Sequence, residues 1–227
     1  MPTCLVTGAS RGIGLEFVKQ YAADGWTVIA TCRRPEQAPA LAGLQGDVRI
    51  EPLDVSDFAR IEALGRRLGG LSIDILINNA GIYGPRVTRY DSVDYAAWPE
   101  VMRVNVMAPL KVTAVLAPNL AASALRIVVG ISSLMGSIED NTSGGNYIYR
   151  SSKAALHAVT RSLSIDLRSK QIIVCVLNPG WVRTDMGGSA ATLDPFESVA
   201  GMRDVIARLT LRESGYFFNY DGTELPW

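Results

Sequence analysis

Tyr149 and Lys153, four positions apart, carry the most distinctive chemistry in the chain, and a serine pair, Ser132 and Ser133, ends an apolar run ahead of them. A free tyrosine, with a pKa of ~10, exchanges protons poorly at neutral pH, but a cation within about 4–6 Å favours the phenolate. Lys153 has that spacing on a helix. A helix from about Asn146 to Ser169 puts positions 149, 153, 156, 160, 163 and 167 on one face, so Tyr149 and Lys153 head a stripe continued by Leu156, Leu163 and Leu167. Such a stripe is buried, and a phenol and an ammonium at its end are costly unless something polar meets them. With a serine hydroxyl facing the ring to hold a carbonyl or alcohol oxygen, Tyr149 is predicted to act on that oxygen as a general acid or base. The spacing alone also fits a surface pair on any helix, so the elements around it must decide.

The first of these is strand, glycine turn, helix: Thr3 to Thr7, then Gly8-Ala9-Ser10-Arg11-Gly12-Ile13-Gly14, then a helical pattern through Phe17, Val18 and Tyr21. Glycines let the backbone approach a pyrophosphate, and the N–H groups and dipole at the helix start favour its charge. The second strand, Trp26 to Thr31, ends without the acidic residue that bonds a ribose 2′-hydroxyl. It has Cys32, Arg33 and Arg34 instead. A guanidinium suits a 2′-phosphate, and Arg11 adds a second cation within reach. Val48 to Leu53 reads as a third strand ending in Asp54-Val55, where a carboxylate can hold an adenine amino group. Helices are expected at Gln37–Leu44 and Ser56–Leu68. The fourth strand, Asp74 to Ile77, runs into Asn78-Asn79-Ala80-Gly81, whose small residues admit a ligand and whose amides can bond neighbouring strands.

Tyr95 to about Leu120 has helical periodicity with a kink expected at Pro109, and places Asn105 where a bend could let its amide hold a water. The fifth strand, Leu125 to Ile131, delivers the serine pair; the sixth, Ile172 to Leu177, ends in Asn178-Pro179-Gly180-Trp181-Val182-Arg183-Thr184-Asp185. Met186 to Pro195 is small and Gly-rich, the composition of a lid, expected near residues 185–200. Phe196 to Leu209 reads as a helix and Gly215 to Tyr220 as a last strand. Strands alternating with helices imply a single Rossmann-type, doubly wound α/β domain over residues 1–227: a mostly parallel, seven-stranded sheet with helices on both faces. Every motif then falls at a strand's carboxyl end, where such sheets bind ligands.

Composition narrows the function. Lys+Arg and Asp+Glu are both 22, so no net charge draws the chain to nucleic acid or an anionic membrane. Cys4, Cys32 and Cys175 lie far apart in apolar runs, as buried inert thiols do in a reducing cytosol, and no metal site is expected. Met1 leads almost directly into a strand and the apolar run from Val104 to Ile131 is broken by Lys111 and Arg126, so neither a signal peptide nor a membrane span is expected.

Taken together, these motifs resemble the short-chain dehydrogenase/reductase family over essentially the whole chain. They are the TGxxxGIG turn (Thr7 to Gly14), NNAG (78–81), Asn105, a serine followed by YxxxK, and the PG motif ending at Thr184. The stretches SIEDNTSGGNYIYRSSKAAL, PGWVRTDMGG and YDGTELPW narrow it to the carbonyl-reductase-like branch that includes the C-factor and sniffer proteins. The resemblance implies a cytoplasmic oxidoreductase that prefers NADP(H), with NAD(H) possible, and moves hydride between nicotinamide and a small carbonyl or alcohol substrate. Tyr149 would be the acid/base. Lys153 would lower its pKa and bond the nicotinamide ribose, Ser133 would hold the substrate oxygen, and Asn105 would anchor a relay water. Gly8, Ser10, Arg11, Gly12, Ile13, Gly14, Arg33, Asp54, Val55, Asn79, Ala80, Gly81, Pro179, Gly180, Val182 and Thr184 would complete the cofactor site, the last two at the carboxamide. Ser133 precedes Tyr149 by 16 residues, longer than is usual in the family, which leaves Ser132 in play. Ser133 is assigned because it lines up with the second serine of the family motif.

Two rivals come from other classes. A dinucleotide-binding signalling protein with little turnover would keep this fold, as the name C-factor suggests for a relative. A Ser-His-Asp hydrolase fails because His157, the only histidine, shares the helix of Tyr149 and no G-x-S-x-G elbow exists; His157 is expected to be a partly exposed helix polar. Ala155, Ala158 and Ser162 form a small-residue face on that helix, and the family implies a homodimer or homotetramer through it. Tyr83, Met135, Trp181 and Met186 suggest apolar pocket walls with no single charged anchor.

Overall fold

Side chains alternate along each strand, and that alternation builds the two layers. In the computed structural model, which describes residues 1–227, the strands are β1 (Thr3–Val6), β2 (Thr27–Cys32), β3 (Val48–Pro52), β4 (Ile75–Asn78), β5 (Ile127–Ile131), β6 (Ile173–Asn178) and β7 (Phe217–Asn219). Cys4 and Val6 of β1, Val28 and Ala30 of β2, and Val129 and Ile131 of β5 face one side; Leu5, Ile29 and Val128 face the other. Both faces are therefore apolar, and helices must cover both. On the first side lie α1 (Gly12–Ala23), α2 (Pro39–Ala42) and α7 (Pro195–Arg208), which bring Phe17, Leu41 and Met202. On the second lie α3 (Phe58–Arg67), α5 (Ala108–Ala121) and α6 (Tyr147–Asp166), with Leu64 and Leu116 fully buried there. Each large side chain so buried contributes roughly 1.5–3 kcal/mol.

The strands run in the order β3-β2-β1-β4-β5-β6-β7, and every pairing is parallel. The chain winds outward from β1 to β3, then crosses to β4 on the other side of β1. That reversal opens a crevice at the carboxyl ends of β1 and β4.

Two elements differ from expectation. The helix expected over Gln37–Leu44 is only Pro39–Ala42, preceded by a 3-10 turn at Pro35–Gln37, because each proline starts a new turn. The long helix expected over Tyr95–Leu120 is not kinked by Pro109: α4 (Trp98–Met102) passes through a π-helical turn, Arg103–Met107, into α5. Ala108 N–H donates to the Arg103 carbonyl five residues back, and Pro109 sits in the first turn of α5, where a missing N–H costs little. The run Trp98–Ala121 passes a membrane-span test on length and composition, but Val104, Val112 and Leu116 within it are buried against the sheet as in a core helix. Cys4, Cys32 and Cys175 are free and buried, and burial pushes all three thiols up.

Candidate active site

The glycine turn is held open by its neighbours rather than by itself. Asn79, at the end of β4, donates through Nδ2 to the carbonyls of Thr7 (2.9 Å) and Gly8 (3.1 Å), and Thr7 Oγ1 accepts from the N–H groups of Asn79 and Ala80. Space is tight there. A Cβ on Gly14 would lie 2.4 Å from Asn79 Nδ2 and 2.5 Å from the Gly8 carbonyl oxygen, while Gly8 has φ +66° and meets Ala80 Cα. The N–H groups of Ser10, Gly12, Ile13 and Gly14 donate to nothing in the protein. Unspent donors converging at a helix start, with no side chain capping it, are the chemistry a pyrophosphate requires.

From this turn a cleft of about 920 Å³ runs across the strand ends, and the predicted cofactor residues line it except Gly180 and Val182. At the adenosine end, Asp54 Oδ1 accepts from the Ser56 N–H (3.0 Å) and hydroxyl (2.7 Å). Burial works against its charge, but those bonds and the nearby Arg33 hold the carboxyl below the usual range. Arg33 is exposed, lines the cleft and makes no ion pair, so its guanidinium is free for a phosphate. Arg11 differs: it lies at the mouth of the cleft, paired with Asp185 at 2.9 Å, with both side chains largely exposed. It is engaged with the segment after β6 by a solvent-exposed pair.

At the other end, Pro179 is anchored by the Ser198 hydroxyl donating to its carbonyl (2.6 Å), and Gly180 takes a left-handed turn, φ +78°. Val182 bridges Leu193, leaving its own buried N–H without a partner, and Thr184 Oγ1 accepts from Gly187 N–H at 3.1 Å. An orphan N–H beside a hydroxyl fits an amide ligand. The expected lid is a hydrogen-bonded segment: Trp181 Nε1 donates to the Gly187 carbonyl, Arg183 to that of Thr192, and α7 already begins at Pro195.

Tyr149 and Lys153 head α6 as the spacing required, both buried, above Leu156 and Thr160. Lys153 Nζ spends one donor on the Ile131 carbonyl (2.9 Å) at the end of β5 and keeps two for a ligand. Burial lowers its pKa to about 8, so it is still largely an ammonium at neutral pH. The expected effect on Tyr149 is reversed. Burial pushes the phenol up, the stacked Tyr83 ring (centroids 4.2 Å apart) adds to that, and only the Ser133 side chain pulls the other way. The ammonium lies 5.6 Å from the ring centroid and is turned to the Ile131 carbonyl, so it does not offset the lost hydration. Tyr149 is a neutral phenol at pH 7, the form that can donate a proton.

The structure separates the two serines. Ser132 is buried, its hydroxyl 2.6 Å from His157 Nε2, while Ser133 opens a 3-10 turn and stands beside Tyr149. His157 is thus not the partly exposed polar expected. It is buried between Phe217 and Trp227, and burial with the Lys153 charge lowers its pKa to about 4. The C-terminal residues cause this, because the Trp227 main-chain oxygen accepts from Ile138 and Glu139 N–H and draws the indole over the ring. Asn105 also differs. Its amide is fully engaged, Nδ2 donating to the Ile82 carbonyl (2.8 Å) and Ser152 Oγ (3.0 Å), and Oδ1 accepting from Ile82 N–H (2.9 Å). A relay water at Asn105 would therefore have to use its backbone carbonyl, because both amide hydrogens are spent. Sequence reasoning missed Arg86, whose guanidinium lies 4.7 Å over the Tyr83 ring and donates to the Met186 carbonyl (2.6 Å). Nothing in its neighbours, Gly84-Pro85 and Val87, marked it.

Comparison with known proteins identifies the family. The model of the short chain dehydrogenase family matches residues 2–193. The C-signal protein of Myxococcus xanthus is 49% identical over 155 residues, 68% of this chain and 93% of that protein. A 1-hydroxy-2-glutathionyl-2-methyl-3-butene dehydrogenase of Rhodococcus is 35% identical over the full length of both chains. Among solved structures, the carbonyl reductase Sniffer of Drosophila melanogaster superposes with a TM-score of 0.95 at 34% identity, covering 100% of both chains. NADPH-bound carbonyl reductase from chicken fatty liver gives 0.92 at 37%, covering 100% of this chain and 99% of that one. The chain belongs to the short-chain dehydrogenase/reductase family, in its carbonyl-reductase-like branch.

Proposed function

We propose that the protein is a cytoplasmic NADP(H)-dependent carbonyl reductase acting on small aldehydes, ketones or quinones, with Tyr149 as the proton donor. The observation that carries this is that Tyr149, with Ser133 beside its phenol, and Lys153 meet a cleft whose opposite end offers unspent N–H groups and a free Arg33. The chicken and Pseudomonas aeruginosa relatives solved with NADPH or NADP support the cofactor choice. Cys32 stands where an acidic residue would select NAD.

The nicotinamide, when bound, supplies the hydride. The chain's own residues do the rest. Ser133 holds the substrate oxygen by donating its hydroxyl, and Tyr149, kept protonated by burial, gives its proton as negative charge develops on that oxygen. Lys153 then faces a phenolate it can stabilise, and its two remaining donors suit ribose hydroxyls. A water on the Asn105 carbonyl would return a proton by way of this lysine. The segment from Asp185 to Asp194, latched by Arg11 and Arg86, would serve as the lid. The signalling alternative draws support from the name of the Myxococcus relative.

A panel of aldehydes, ketones and quinones with NADPH and NADH tests the reading. Turnover with NADPH preferred is expected, and Arg33→Asp should move the preference toward NADH by replacing a phosphate's partner with a like charge. Tight NADPH binding without turnover of any carbonyl would favour the signalling protein instead.

A further inference from the structure

Two arginines flank Tyr83, and neither faces a carboxylate. Arg86 lies over the Tyr83 ring at 4.7 Å and is held by a neutral acceptor, the Met186 carbonyl. Arg150 spends its donors on the carbonyls of Gly144 and Met135 and on Ser143 Oγ, again all neutral. Burial pushes the Tyr83 phenol up, and both cations oppose that shift. The Tyr83 ring itself stacks on Tyr149 at 4.2 Å, nearly parallel, 13° between planes. One face of Tyr83 therefore meets Tyr149, and the guanidinium must sit over the other. The order outward from the buried lysine is Lys153, Tyr149, Tyr83, Arg86. Uncompensated positive charge is thus fixed two stacked layers beyond the proton donor, at the rim joining the Tyr83 loop to the lid at Met186. Elsewhere on the rim the cation Arg11 is neutralised by Asp185, so the charge at Arg86 and Arg150 is local.

We infer that the preferred substrates are carbonyl compounds carrying a carboxylate at the end remote from the carbonyl, with Arg86 as the contact for that anion and Arg150 reinforcing its field. A planar, conjugated body would pass along the edges of the stacked Tyr149 and Tyr83 rings, since the Tyr83 ring itself fills the space between Tyr149 and Arg86. Arg86 is exposed at the rim, so its attraction for a carboxylate is strongest at low salt, and a neutral ester of the same shape lacks that partner. This inference rests on the carbonyl-reductase reading and refines it. It also replaces the expected apolar pocket without a charged anchor.

The test compares 4-carboxybenzaldehyde with methyl 4-formylbenzoate, using NADPH and the full-length protein. The ratio of kcat/KM, acid over ester, is expected to exceed about ten at low salt and to shrink as ionic strength rises. Arg86→Gln, which keeps a donor for the Met186 carbonyl but no charge, should bring the ratio to about one, mostly through KM for the acid. If Arg86 merely clasped the lid, both substrates would lose equally and the ratio would hold. A ratio near one in the parent protein, or one that Arg86→Gln leaves high, overturns the inference while the reductase reading stands. Turnover of neither compound, nor of any in the wider panel, overturns both.

Discussion

At the scale of single residues, the site places charge where folding alone would not. Lys153 is fully buried with one hydrogen bond, and its folded pKa of about 8 lies below the ~10.4 of a free lysine. Between those values the unfolded chain binds more protons, so this residue makes stability rise with pH through that window. Below about 8 it costs the folded state a constant amount, roughly 3 kcal/mol at most. Lys153→Met is therefore expected to raise the unfolding temperature at pH 7, with the gap over the parent closing by about pH 10.5, while carbonyl reduction falls ~100-fold or more. Thermal scans across that pH range check this, and a variant less stable at pH 7 would contradict it. Tyr149 shows how far such reasoning reaches from sequence. Its identity, spacing and buried face were legible because they are helical geometry, but the direction of its pKa shift was not. That direction is set first by the burial of the phenol and then by Tyr83, which a loop with no periodicity places against it.

At the scale of elements, the glycine turn and the end of β4 act as one unit. Asn79 and Thr7 tie β1 to β4 through side chains, and Gly14 is the residue their approach tolerates. Gly14→Ala would press a methyl onto Asn79 Nδ2 and the Gly8 carbonyl. Relief by moving Asn79 would cost roughly 1–3 kcal/mol and misalign the free N–H groups. A lower unfolding temperature together with NADPH binding weakened tenfold or more, read by fluorescence titration, is expected. Unchanged binding would show that the turn is not the pyrophosphate cradle. The strands and the glycine turn could be read directly because continuous apolar runs and glycine spacing are local signals. The π-helical turn before α5 could not. Its cause is the seating of Asn105 against Ile82 and Ser152, which are distant in sequence. The burial of His157 was hidden likewise, because it is made by Trp227 returning from the far end of the chain.

At the scale of the whole molecule, exposed apolar side chains stand on two neighbouring elements of the chain. Met107 and Leu110 stand out to solvent at the start of α5, and Ile165 is 63% exposed on α6 beyond Ala158 and Ser162. We propose that copies associate through these helices into a homodimer or homotetramer, since exposed apolar residues and the small Ala158 and Ser162 on them allow close helix approach. Light scattering should then give a mass of two or four chains, and Ile165→Glu should lower it; a parent protein that is already monomeric would contradict this. The parallel sheet, its switch between β1 and β4, and the crevice there bring the cofactor turn and the tyrosine helix together from opposite halves of the chain. The claim on which this arrangement bears is that Tyr149 supplies the proton in carbonyl reduction. The most direct measurement is NADPH oxidation and NADPH affinity in Tyr149→Phe, which removes the proton and almost no volume. Turnover lower by ~10²–10⁴-fold with affinity nearly unchanged is expected. Parent-like turnover in that variant would contradict the account.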